Sequence, residues 1–288
     1  MQDPFNHRRT GILLHPTSLP GADEQGKLNK EAFNFIDFLH ESNVTIWQIL
    51  PLGPTHADAS PYQSYSCFAI NPKLLDISVI RKWQCIPEDD LECALNSDNS
   101  LTTIYYLFEK YSDDEHRTLF KNFVEIQDHW LEDYVLYSCL KRKFNETSWI
   151  EWPVEFRDRQ TEALTDFRSN NTDDLQIIKF EQFVIYNAWQ SIKHYAAHKN
   201  VAIFGDIPIF VSHDSADVWA NRSLFHLDEA GNPLTIAGVP PDYFSANGQR
   251  WGNPHYRWEE MAKDNYSWWL KRLTHDLALY AFVRIDHF

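Results

Sequence analysis

The 288-residue sequence predicts an α/β fold on a parallel sheet, and three observations carry that expectation. Short apolar, strand-like runs alternate with amphipathic helical stretches. The first strand–helix–strand passage is complete by residue 50, too long for a hairpin and suited to a crossover between parallel neighbours. Polar residues (His15, Asp206, and Arg284 with Asp286) stand at the C-terminal ends of these runs, where a (β/α)8 barrel carries its chemistry. The expected architecture is a (β/α)8 TIM barrel with helical insertions, of which only about the first four barrel strands are present. A doubly wound open sheet is the alternative, but no G-x-G-x-x-G follows any strand.

In chain order, Gly11-Ile-Leu-Leu-His15 is a buried strand, broken by Pro16, Pro20 and Gly21. Ala32, Phe35, Ile36 and Leu39 fall at i, i+3, i+4, i+7 and make one helix face. Thr45 to Leu50 is the next strand, stopped by Pro51, Gly53 and Pro54. Residues 55–98 read as a long polar loop. Residues 101–143 and 175–198 are largely helical, with Leu131, Tyr134, Val135 and Cys139 on a shared face, and 145–173 is an acidic connection. Val201 to Val211 is a strongly apolar strand, 228–256 a long ordered loop, and 263–280 a helix with Trp269, Leu273, Leu277 and Tyr280 on one side. Tyr280 to Phe288 is a final strand. The chain is thus expected to be the N-terminal part of a catalytic barrel spanning 1–288, with a loop and helical insertion at about 55–198.

Composition narrows the function. At 43% hydrophobic residues a sizeable core is available. The net charge of −15 repels phosphate backbones and anionic lipid, so neither nucleic acid nor a membrane is an expected partner. No apolar run spans a bilayer and the start lacks a secretory apolar region, which points to the cytoplasm. Four scattered cysteines form neither a disulfide framework nor a zinc site. Eleven tryptophans suit either an aromatic core or the apolar faces of sugar rings.

Two motifs are decoys. Gly21-Ala-Asp-Glu-Gln-Gly26-Lys27 has P-loop spacing, but Leu28 replaces the hydroxyl that would hold magnesium, and Asp23 and Glu24 would face phosphate. His194 and His198 share a helix face without the glutamate of H-E-x-x-H or a third ligand. The final strand is more informative. Its period-2 alternation puts Phe282, Arg284, Asp286 and Phe288 on one face. A guanidinium beside a carboxylate favours the ionised form, as a glycosidase nucleophile requires. A purely structural Arg–Asp pair has the same pattern.

Further segments decide between these. Ser60-Pro-Tyr-Gln-Ser64, Gly205-Asp-Ile-Pro-Ile-Phe-Val211, Asp214-Ser-Ala-Asp-Val-Trp219, Gly238-Val-Pro-Pro-Asp-Tyr-Phe-Ser245, Gly248-Gln-Arg-Trp-Gly-Asn-Pro254 and Arg284-Ile-Asp-His-Phe288 occur in order. With His15-Pro-Thr-Ser-Leu-Pro-Gly21 and Trp47-Gln-Ile-Leu-Pro-Leu-Gly-Pro54, they closely resemble the 4-α-glucanotransferases (amylomaltase, disproportionating enzyme) of the α-amylase-like barrel group. The chain departs from that pattern at Glu24 to Leu28, at Cys67 and Ile70, and at Asn247.

The resemblance implies transfer of an α-1,4-glucan segment from a donor maltodextrin to the 4-hydroxyl of glucose or another glucan, by retaining double displacement. It implies Asp286 as nucleophile and Tyr62 stacked on the sugar beside the scissile bond. Asp206, Arg284 and His287 would bind hydroxyls or orient the nucleophile. Tyr243, Phe244 and Trp251 would belong to a loop covering the site. No metal or cofactor is implied. The family's general acid/base glutamate has no counterpart here, so this chain alone is expected to be inactive, with strand 281–288 an unpaired barrel edge. An α-glucan hydrolase, or a glucan-binding fragment without catalysis, remains the alternative.

Overall fold

A computed structural model describes residues 8–21, 25–243 and 245–287. Phe244 and Phe288, and Asp23 and Glu24 of the decoy loop, lie outside the described residues. The fold is mixed α/β. The strands β1 (Gly11–Leu13), β2 (Ile46–Gln48), β3 (Ala202–Pro208) and β6 (Phe282–Asp286) form one parallel sheet in the order β1-β2-β3-β6. Each lies within its expected run and is shorter at one or both ends. Among the described residues, β1 and β6 are the two edges.

Helix α1 (Lys30–Glu41) links β1 to β2. Asn29 caps it by accepting the Glu31 N–H at 3.0 Å, and Ala32, Ile36 and Leu39 are buried. Between β2 and β3 lie α2 (Glu88–Leu95), α3 (Ser100–Tyr111), α4 (Asp114–Ile126), α5 (Asp128–Lys143), α6 (Val154–Arg157), α7 (Thr161–Asn170) and the 27-residue α8 (Thr172–His198). Helix α9 (Ala216–Ala220), strands β4 (Ile236–Val239) and β5 (Gln249–Pro254), and helices α10 (Trp258–Lys263) and α11 (Ser267–Leu279) complete the path to β6.

Several expectations are corrected. The polar stretch 55–98 contains α2 and two 3-10 helices, Pro72–Leu74 and Ile77–Trp83. Helix α2 buries only Leu91 and Ala94, too few positions to print a period. The acidic connection 145–173 contains α6 and α7; α7 likewise buries only Leu164 and Phe167. The Gly/Pro-rich 228–256 is partly an antiparallel hairpin of β4 and β5. Helix α11 turns a different face inward: Trp268, Trp269, Arg272, His275, Asp276 and Leu279 are buried, while Leu277 is 53% exposed. Charged residues occupy the inward stripe because Arg272 serves the end of β3. Its Nη2 donates to Pro208 O at 2.6 Å and its Nη1 to Ile209 O at 3.2 Å.

Two hydrophobic cores support the sheet. One joins α1, the strands and the C-terminal half of α8; the other joins α2–α7, α9, α11 and the N-terminal half of α8. Ile185, Ala188, Trp189, Ile192 and Ala196 of α8 serve the first, and Leu175, Ile178, Phe180, Phe183 and Val184 the second. The tryptophan excess is mostly core: Trp47, Trp130, Trp149, Trp152, Trp189, Trp219, Trp268 and Trp269 are buried. No helix among the described residues is long and apolar enough to cross a membrane.

Gly205 in β3 packs under Tyr280, where a Cβ would lie 2.2 Å from the ring's Cδ2. Gly205→Ala is expected to destabilise the fold by about 1–3 kcal/mol, read from urea unfolding.

His275 is buried against Phe68 and Trp130, and its Nε2–H donates to Phe68 O at 2.8 Å. Burial pushes its pKa down to about 4, against the Phe68 bond. The folded state therefore binds a proton less readily than the unfolded chain, where His titrates near about 6.5. Its stabilisation is present above that pH and is lost as pH falls toward 4. The urea midpoint of His275→Gln should accordingly fall less between pH 7 and 5 than that of the parent chain.

Candidate active site

The parallel pairing of β3 with β6 sets Asp206 opposite Arg284 and Pro208 opposite Asp286. Asp206 is fully buried. Arg284 grips it with two bonds: Nε donates to Oδ1 and Nη2 to Oδ2, each at 2.9 Å. This forked geometry is the strong form of an arginine–carboxylate pair. The same Nη2 donates to Asp286 Oδ1 at 2.6 Å. One guanidinium thus couples a buried carboxylate to a carboxylate that faces a cleft.

Tyr62 reaches Asp206 from the loop after β2, its hydroxyl donating to Oδ2 at 2.8 Å. Burial, and then this bond, push the Tyr62 pKa up to about 12. The phenol therefore stays protonated and remains a donor across the physiological range. With its hydroxyl committed to Asp206, Tyr62 offers the cleft chiefly its ring.

The cleft has a volume of about 340 Å³. Tyr62, Gln63, Phe210, Trp251, Asn253, Asp286 and His287 are among its lining. Among the described residues, Asp286 is the one carboxylate in that lining. His287 is held at φ +56, a left-handed conformation costly for a side chain with a Cβ. Its ring lies 4.7 Å from that of Trp251, and its Nε2 is 3.6 Å from Asp286 Oδ2. Trp251 comes from β5, and its indole N–H donates to Gln249 Oε1 at 3.1 Å. An anionic oxygen backed by a guanidinium and flanked by aromatic faces can attack, or electrostatically stabilise, an electron-poor carbon of a flat, hydroxyl-rimmed ring.

Of the sequence-expected residues, Tyr62, Asp206, Arg284 and Asp286 form one hydrogen-bonded chain. Trp251 and His287 complete the cleft. Tyr243 is 97% exposed and is not part of the cleft lining, and Phe244 lies outside the described residues. His15 also stands outside the lining, with its Nε2 3.3 Å from Pro51 O. The Gly26 N–H donates to Thr17 O at 2.8 Å rather than facing a phosphate, and His198 Nδ1 lies 2.8 Å from the His194 carbonyl. Sequence reasoning did not single out Gln63, Phe210 and Asn253. Their only signal was membership of quoted segments, since amides and a lone Phe carry no reactive chemistry.

Known proteins resemble this chain over nearly its whole length. The 4-alpha-glucanotransferase family profile matches residues 14–288. The chain is 41% identical to the 4-alpha-glucanotransferase of Thermus thermophilus, over 98% of this chain and 58% of that protein. It is 40% identical to the one from Aquifex aeolicus, over 98% and 59%. Among solved structures, the Streptococcus agalactiae amylomaltase, in complex with acarbose, superposes with a TM-score of 0.89 at 34% identity, covering 98% of this chain and 60% of that one. The chain spans less than two thirds of the length of these relatives. With a match that runs from just after β1 through the Arg284–Asp286 pair, the chain belongs to the 4-alpha-glucanotransferase family.

Proposed function

We propose that this chain carries the nucleophile and much of the sugar-binding wall of an α-1,4-glucan transferase acting by retaining double displacement. The observation that supports this reading most is Asp286 at a strand end, tied through Arg284 to buried Asp206 and opening on an aromatic-walled cleft. In the first displacement an Asp286 oxygen bonds the anomeric carbon of an α-1,4-linked glucosyl unit. The glycosidic C–O bond breaks, and the leaving oxygen takes a proton from an acid. In the second, the 4-hydroxyl of glucose or of another glucan attacks the same carbon, returns its proton to that group and releases Asp286. Two inversions restore the α configuration. Tyr62 and Trp251 stack on sugar faces. Arg284 holds Asp286 in attack geometry, Asp206 holds Arg284, and His287 borders the reacting ring. In this reading Tyr243, 97% exposed without glucan, belongs to a loop that closes over bound glucan and excludes water, which favours transfer over hydrolysis.

Retention needs a second carboxyl about 5–5.5 Å from the nucleophile. No glutamate lines the cleft among the described residues. Residues 1–288 alone therefore bind maltodextrins but do not disproportionate them at a measurable rate. In this reading the parallel sheet is part of a (β/α)8 barrel, about its first four strands, with 55–198 inserted between the second and third of them. The setting is cytoplasmic maltodextrin, glycogen or starch metabolism.

A glycosyl fluoride separates these claims, because fluoride departs without an acid. With α-maltosyl fluoride, the 1–288 chain should release fluoride and gain the mass of one maltosyl group, since no base assists the second displacement. Asp286→Asn should lower fluoride release by at least about a thousandfold. Equal release by the variant overturns Asp286 as nucleophile. Longer maltodextrins formed from maltotriose by the unaltered chain overturn its inactivity. Free maltose as the only sugar product would favour a hydrolase.

The buried anchor has its own outcome. Asp206→Asn keeps an acceptor for Tyr62 but loses the bidentate carboxylate. It should cost about 1–3 kcal/mol in urea unfolding and slow fluoride release about tenfold or more.

A further inference from the structure

The cleft has two walls that no strand pairing joins among the described residues. Tyr62 belongs to the sheet side through its bond to Asp206. Trp251 belongs to the β4–β5 hairpin, whose two strands, among the described residues, pair only with each other. Within that hairpin, Gly252 takes φ +80, and nothing lies within 4 Å of where its Cβ would be. The backbone between Trp251 and Asn253 is thus a glycine joint with open space beside it, which the ladder alone does not stiffen.

Gln63 spans the gap. Its Nε2 donates to the Trp251 backbone carbonyl at 3.3 Å and to Asn253 Oδ1 at 3.2 Å. An amide nitrogen carries two hydrogens, so both are spent on the hairpin, one on each side of Gly252. Asn253 is itself buried. At its other end, Gln63 is tied into its own loop, its N–H donating to Ser60 O at 3.1 Å and its carbonyl accepting the His56 N–H at 3.4 Å. Tyr62 and Gln63 are consecutive. One short stretch of covalent chain therefore anchors both walls.

We propose that Gln63 is a positioning residue that sets the width of the cleft, holding the Trp251 wall at a fixed distance from Asp286. Its consequence for ligands rests on the glucan reading; its mechanical role does not. A ring bound between Tyr62 and Trp251 meets two faces whose separation is fixed before binding, which lowers the ordering cost of association.

Two measurements on the 1–288 chain test this. In hydrogen exchange, Gln63→Ala should speed the amides of 249–253 by roughly tenfold or more, with β3 unchanged. Unchanged hairpin exchange overturns the strut. In calorimetric titration with maltoheptaose, Gln63→Ala should weaken binding roughly five- to tenfold. Gln63→Glu, of the same shape but unable to donate to the Trp251 carbonyl, should weaken it alike. Parent-like affinity in both variants, with a loosened hairpin, overturns the role in setting width. A parent chain that binds no maltoheptaose removes the glucan reading, and the exchange result still decides the strut.

Discussion

The pairing of β3 with β6 is the constraint on which the site depends. A parallel ladder fixes which residues stand side by side, and here it sets Asp206 beside Arg284. A slip of one residue would turn every side chain of β6 to the opposite face. Asp206 is buried, so leaving it unpaired would be costly, and Arg284 is the cation in reach. Burial thus enforces the fork, the fork orients Arg284, and Arg284 fixes one oxygen of Asp286. The half-buried Asp286 carboxylate inherits its geometry from a residue that is itself fully buried.

The surrounding structure protects that register. Gly205 lets Tyr280 pack flat against β3, and Arg272 takes up the carbonyls of Pro208 and Ile209, where β3 ends. Both devices come from the helix-to-strand passage that delivers β6. The segment that brings Arg284 and Asp286 to the sheet therefore also braces the strand they pair with.

Much of this was legible in the sequence, for reasons that differ by element. Strands β1, β2, β3 and β6 and helix α1 carry strong apolar patterns, and the Arg284–Asp286 alternation is visible directly. The short helices α2 and α7 bury two side chains each and leave no readable period. The inward face of α11 was misread because Arg272 and Asp276 sit where apolar residues are expected. Buried charge follows from tertiary hydrogen bonds, which no periodicity encodes. The tryptophan excess suits either a core or sugar faces; most of those rings serve the core, and among the described residues Trp251 alone of the eleven lines the cleft. Burial of Asp206 could not be read either: a carboxylate at a strand end looks the same whether it meets ligand or lies beneath it.

Helix α8 belongs to two cores at once, its N-terminal half to the helical layer and its C-terminal half to the sheet. This has an architectural consequence. The layer between β2 and β3 is not a detachable appendage, because excising residues 55–198 would strip Ile185, Trp189 and Ile192 from the sheet's own packing. It would also remove the loop that supplies Tyr62 and Gln63. A long helical passage between two neighbouring strands can look like an ornament on the sheet that scaffolds it. Here the ornament and the scaffold share a beam, and neither could be shortened independently of the other.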